Sequence, residues 1–133
     1  MVTCMDARVH PESLLGLDVG DAHVIRNAGG RVSDDALRSL IISSHLLGTK
    51  EYLVIHHTDC GMLTFSNDDL RNKLANDTGA DASDIDFLPF ADLEDSVRDY
   101  VQRIRQSPLI PDEISVSGHV YNVNTGALTA VEG

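Results

Sequence analysis

Cys4-Met5-Asp6-Ala7-Arg8 and His57-Thr58-Asp59-Cys60-Gly61 bring together the residue types needed to hold a transition metal and to work beside it. The chain has two cysteines, 56 positions apart, and each sits in one of these segments. A sparse pair in a reducing cytosol is expected to serve metal binding or catalysis more than a disulfide. Two thiolates and one imidazole suit Zn²⁺, a borderline-soft ion that takes sulfur and nitrogen in tetrahedral geometry. Cys4, His57 and Cys60 make three ligands, and three leave a position for water, the mark of a catalytic site.

Charge explains the neighbours. Two thiolates cancel the formal charge of the metal and weaken it as an electrophile, so hydroxide needs help to persist near neutral pH. Asp6 can accept the hydroxide's proton if it stays ionised and correctly pointed. Arg8, two residues on, offers the bidentate fork that orients a carboxylate and lowers its pKa. The bland alternatives are two buried apolar cysteines, a plain ion pair at a strand end, and a zinc site that responds to oxidation by closing a disulfide. Asp6-x-Arg8 argues against the last, because a purely structural or redox site has no use for such a dyad.

These segments must be positioned by an α/β domain, since strand and helix signals alternate. Val2-Thr3-Cys4 reads as the end of a buried strand, Pro11 to Leu17 as a short helical turn, and Ala22 to Arg26 as a second strand stopped by Gly29-Gly30. Ser33-Asp34-Asp35 starts a helix with a cap and dipole-matched acids. Its stripe is Leu37, Leu40, Ile41 and Leu47, ended by Gly48. Glu51 to His56 is the clearest central strand. Asn67 to Asn76 reads as a helix, residues 77–89 as an acidic loop, and Leu93, Val97, Tyr100, Val101 and Ile104 as an amphipathic helix. Ile114 to Val123 reads as a final strand or hairpin turned at Asn124-Thr125-Gly126. The fold expected is a single α/β domain over 1–133, with a mostly parallel central sheet flanked by helices. Both motifs then lie at the C-terminal ends of parallel strands, where open α/β sheets build their sites.

Composition narrows the partners. A net charge of −11 excludes nucleic acid and anionic membrane surfaces, which would repel the chain. Asp supplies 16 of the 21 acidic residues and only two of ten basic residues are Lys, a balance that suits a salt-rich, halophilic interior. No stretch approaches a bilayer span and no leader pattern opens the chain, so a cytoplasmic location is expected.

The residues also resemble a known family. Cys-x-Asp-x-Arg, followed some fifty residues later by His-x-x-Cys, is similar to the signature of the β-carbonic anhydrases. The likeness continues through Gly20 to Gly30 and His56 to Met62, and the compact length resembles the small prokaryotic members. It implies a Zn²⁺ ion per chain, held by Cys4, His57 and Cys60, with Asp6 and Arg8 as the catalytic dyad. It further implies reversible hydration of carbon dioxide to bicarbonate by zinc-bound hydroxide. Gly61 is expected to let the chain pass close to the metal and to offer its N–H to bicarbonate. A homodimer or dimer of dimers is implied, as is an N-terminal helical arm, expected to be missing here. In some members the residue matching Asp6 binds zinc directly in a closed state. Small members also include enzymes hydrolysing CS₂ or COS. The family pattern selects His57 over His56, which is expected to be packed or hydrogen-bonded. Asp59 is expected to cap the helix after Gly61, and Arg26, Asn27, Gly29 and Gly30 to form a supporting turn. His10, His23, His45 and His119 carry no motif. A dinucleotide-binding module is excluded, since no Gly-x-Gly-x-x-Gly follows a strand.

Overall fold

The computed structural model describes residues 1–132. Five strands form one sheet: β1 Val2–Cys4, β2 Ile25–Asn27, β3 Glu51–His57, β4 Ser115–Tyr121 and β5 Leu128–Val131. Their spatial order is β2-β1-β3-β4-β5. The first four are mutually parallel and β5 returns antiparallel to β4. The helices are α1 Pro11–Leu15, α2 Asp34–Leu46, α3 Asn67–Thr78 and α4 Leu93–Gln106, with a 3₁₀ turn at Gly61–Leu63.

Local chemistry sets most element ends. Ser33 caps α2 by accepting from Ala36 N–H, Asp92 caps α4 through Asp95 N–H, and Ser66 forms a reciprocal capping box with Asp69 on α3. The α4 stripe Val97, Tyr100, Val101 and Ile104 is buried and shares one core with Leu40 of α2 and with Val2, Tyr52, Val54 and Val116 of the sheet. Gly118 of β4 lets that helix come close, because a Cβ there would lie 2.3 Å from Val97 Cγ1.

Several expected boundaries move. The second strand is Ile25–Asn27, not Ala22–Arg26, because pairing begins only where β1 begins, with Val2 opposite Ile25. Leu47 leaves the α2 stripe: it follows the last helical residue, with φ −120°, and is exposed. The helix starting at Asn67 runs to Thr78, where Gly79 at φ 71° closes it. The C-terminal segment is a hairpin of β4 and β5, and Gly126 turns it at φ 78°.

The sheet order places the site. β1 has β2 on one side and β3 on the other, so the winding direction reverses between β1 and β3. A crevice opens at such a switch point beyond the carboxyl ends of the strands. Cys4 ends β1 and His57 ends β3.

Candidate metal centre

The Sγ atoms of Cys4 and Cys60 and a ring nitrogen of His57 lie within 4.8 Å of one another, and all three residues are buried. His57 reaches the cluster as the last residue of β3, one further than the sequence places that strand. Its Nδ1 lies 2.7 Å from Thr58 O. A carbonyl only accepts, so Nδ1 carries the proton and Nε2 presents a bare lone pair. That Nε2 is buried and has no hydrogen-bond partner. A buried acceptor without a donor is costly. A cation answers that cost, and the two thiols beside it complete a soft N/S set, so these residues fit Zn²⁺.

The two thiols push each other in opposite directions. The contact with Cys60 pulls Cys4 down, while the Cys4 partner and burial hold Cys60 up. Two buried sulfurs in contact do not both ionise alone; a divalent ion removes that conflict. Backbone N–H groups of Asp6 and Gly29 also face Cys4, and that of Met62 faces Cys60.

Asp6 and Arg8 stand at the mouth. Arg8 Nε donates to Asp6 Oδ1 at 3.0 Å and Nη2 to Oδ2 at 2.9 Å, a bidentate pair. Arg8 N–H adds a bond to Oδ1 at 2.8 Å. Arg8, first through its side chain and then its backbone, holds the Asp6 carboxyl well below the usual carboxylate range. Asp6 Oδ2 is 3.8 Å from the bare His57 Nε2, next to the ligand cluster.

Some expectations change here. Asp59 caps no helix: the 3₁₀ turn starts after Cys60 without a side-chain cap, and Ser66 caps α3. Asp59 instead accepts from Arg8 Nη1 at 2.9 Å. Gly61 opens the 3₁₀ turn and is exposed, and a Cβ there would meet no atom within 4 Å. Close passage therefore does not require glycine at that position. Gly30 does face such a requirement, since its φ is 66° and a Cβ would lie 2.9 Å from Cys4 N.

Support comes from behind. Arg26 of β2 donates Nε to Cys4 O at 3.0 Å and Nη2 to Asp6 O at 2.8 Å, clamping the loop that carries both residues. Asn27 closes the Gly29-Gly30 turn through Arg31 N and O, each at 2.7 Å. His56 is packed, as expected: Nε2 donates to Gly30 O at 3.1 Å and its ring stacks on Phe90 at 5.2 Å. Burial pushes it down to about 4. Arg31, which the sequence did not single out, lies over Phe90 and Tyr100 at 4.9 and 4.4 Å from their ring centres. His10, His23, His45 and His119 bond Ser13, Ser43, Leu109 O and Ser117 respectively.

Comparison with known proteins agrees with this geometry. Residues 1–128 match a family model described as carbonic anhydrase. The chain is 44% identical over 133 residues to beta-carbonic anhydrase 1 of Mycobacterium tuberculosis, spanning 98% of this chain and 80% of that protein. It is 37% identical over 152 residues to a carbon disulfide hydrolase of Saccharolobus solfataricus, spanning 96% and 74%. Among solved structures, carbonic anhydrase from Streptococcus mutans superposes with a TM-score of 0.95 at 53% identity, over 98% of this chain and 79% of that one. On these matches, and on the Cys-His-Cys cluster beside its Asp-Arg pair, the chain belongs to the β-carbonic anhydrase family.

Proposed function

We propose that this chain catalyses the reversible hydration of carbon dioxide to bicarbonate and a proton, with Zn²⁺ held by Cys4, His57 and Cys60. The observation that carries the reading is the buried, unpartnered Nε2 of His57 between two thiols and 3.8 Å from Asp6. When bound, Zn²⁺ supplies the Lewis acidity that makes water a nucleophile near neutral pH. Asp6, kept ionised by Arg8, accepts a proton in a hydrogen bond from the attacking water and fixes its orientation. Arg8 occupies both Asp6 oxygens and so keeps that carboxylate, although beside the cluster, out of the ligand set; a released Asp6 is the candidate fourth ligand of a closed state. Gly61 presents an N–H at an uncrowded turn where a bicarbonate oxygen can be received. The active assembly in this reading is a homodimer or dimer of dimers in the cytoplasm.

Similarity to carbon disulfide hydrolases keeps CS₂ as a second substrate class. The mouth favours carbon dioxide. Asp6, Arg8 and Asp59 make it ionic and solvent-facing, which suits an anionic product and a proton that must leave.

Turnover of CO₂ and of CS₂ is compared by stopped flow on one preparation of known zinc content, from pH 6.5 to 9. Rapid CO₂ hydration rising with pH is expected, with Arg8→Gln retaining zinc but losing about 10- to 100-fold in kcat/KM. CS₂ turnover without CO₂ turnover overturns the proposal.

A further inference from the structure

Arg8 grips two loops at once. Two of its donors take the oxygens of Asp6. Nη1 donates to Asp59 Oδ2 at 2.9 Å, and Nη2 also reaches Asp59 O at 3.0 Å. One planar fork thus spans the loop after β1 and the loop after β3, 51 residues apart in sequence. Asp59 has φ 55°, a left-handed conformation uncommon outside glycine but one that Asp adopts more readily than most. In that conformation its carbonyl and its carboxylate both accept from the same guanidinium.

The surroundings leave little else to hold the dyad. Asp6 faces Arg8 on one side and His57, with the two thiols beyond it, on the other. Arg26 approaches the same loop from β2 but binds only the carbonyls of Cys4 and Asp6. With the Arg8 side chain displaced, the remaining bond to the Asp6 carboxylate is the Arg8 N–H. The orientation of Arg8 therefore decides whether Asp6 stays in the dyad.

We infer that Asp59 is a positioning residue: it fixes the Arg8 fork across the mouth of the site and so retains Asp6 on Arg8, out of the ligand set. The inference rests on the role given to Asp6 above. It gives a polar residue inside the His-x-x-Cys spacing a specific task. Asp59 and Arg8 are both well exposed, so their ion pair adds little to stability. Its effect is on geometry.

The test uses two variants of the zinc-loaded full chain. Asp59→Gly tolerates the positive φ, keeps the backbone acceptor and removes the carboxylate; Asp59→Asn keeps an acceptor oxygen. Exchange of the Arg8 Nε–H with water is followed by ¹⁵N NMR, and kcat/KM for CO₂ hydration is measured from pH 6.5 to 9. In Asp59→Gly the Nε–H is expected to exchange about tenfold faster, with kcat/KM down about three- to tenfold at pH 6.5. That deficit is expected to close towards pH 9, because hydroxide would compete better with a released Asp6 carboxylate as pH rises. Asp59→Asn returns both readouts to within about twofold of the parent. Unchanged Nε–H exchange in Asp59→Gly, or an equal loss at every pH that Asn does not rescue, overturns the inference. A parent protein without CO₂ turnover sinks the functional reading, while the Arg8 exchange rates still decide the role of Asp59.

Discussion

The two ends of the sheet carry similar chemistry and use it differently. Beyond the carboxyl ends of β1 and β3, His57 meets two thiols, and its Nε2 is left without a partner. At the opposite end a cavity of about 620 Å³ is lined by Met1, Leu17, His23, Ser43, Thr49 and Lys50, among others. There His23 Nδ1 bonds Ser43 at 2.7 Å, and Ser43 in turn bonds Thr49 at 2.6 Å. The hydroxyls close on the ring and on each other. The space is there, but its polar groups are already satisfied by one another. What separates the two ends is polar atoms left unsatisfied in a place from which water is excluded.

The sharpest way to break this contrast is a pair of alanine substitutions. His57→Ala is expected to lose bound zinc and about a thousandfold of CO₂ turnover, because the imidazole ligand is gone. His23→Ala keeps zinc and turnover, and loses about 1 kcal/mol of stability with its hydrogen bonds. Zinc per chain by elemental analysis, with stopped-flow rates on the same samples, decides it. Equal zinc loss in both would mean that the two ends are coupled.

Acid provides the next test. His56 sits behind the metal end, and its folded value of about 4 lies below that of a free histidine. The folded state thus favours the neutral ring. Its contribution is complete above about pH 6.5 and disappears as pH falls towards 4, a loss of about 3 kcal/mol. Urea midpoints across that range should fall in the parent and fall less in His56→Gln, which keeps a donor for Gly30 O. Parallel curves would show that another group carries the acid sensitivity.

Two glycines give the finest comparison. Gly30 and Gly48 both have positive φ, at 66° and 79°. A Cβ at Gly30 strikes the backbone of Thr3 and Cys4, whereas one at Gly48, beside the wide cavity, meets nothing within 4 Å. Gly48→Ala should cost about 1 kcal/mol from backbone strain alone, and Gly30→Ala about 2 kcal/mol or more. Only Gly30→Ala is expected to weaken metal binding, measured by competition with a chromogenic chelator.

The metal end was also the legible end. Cys4, His57 and Cys60 stand at spacings that a linear reading can find, and Asp6-x-Arg8 is local to one loop. β3 was plain from its run of β-branched and apolar residues, and the α4 stripe from its period. Asp59 was misread because its partner, Arg8, is 51 residues away, and a polar residue before a turn has the local look of a cap. Arg26 reads as support from the sequence, but what it supports does not, since its acceptors are carbonyls 20 and 22 positions back. Residues 22–24 have strand propensity but no strand beside them, and only the register of β1 reveals that.

One feature of the topology reaches into folding. Cys4 and Cys60 are 56 positions apart, and they meet only because β1 lies directly beside β3 in the sheet. Closing so long a loop is slow and entropically expensive, and an ion gripping both ends acts as a removable crosslink worth about 4 kcal/mol by the loop-closure relation. Chelation should therefore speed the unfolding of the intact sheet. On the proposed ligand set, zinc supplied during refolding should accelerate the pairing of β1 with β3.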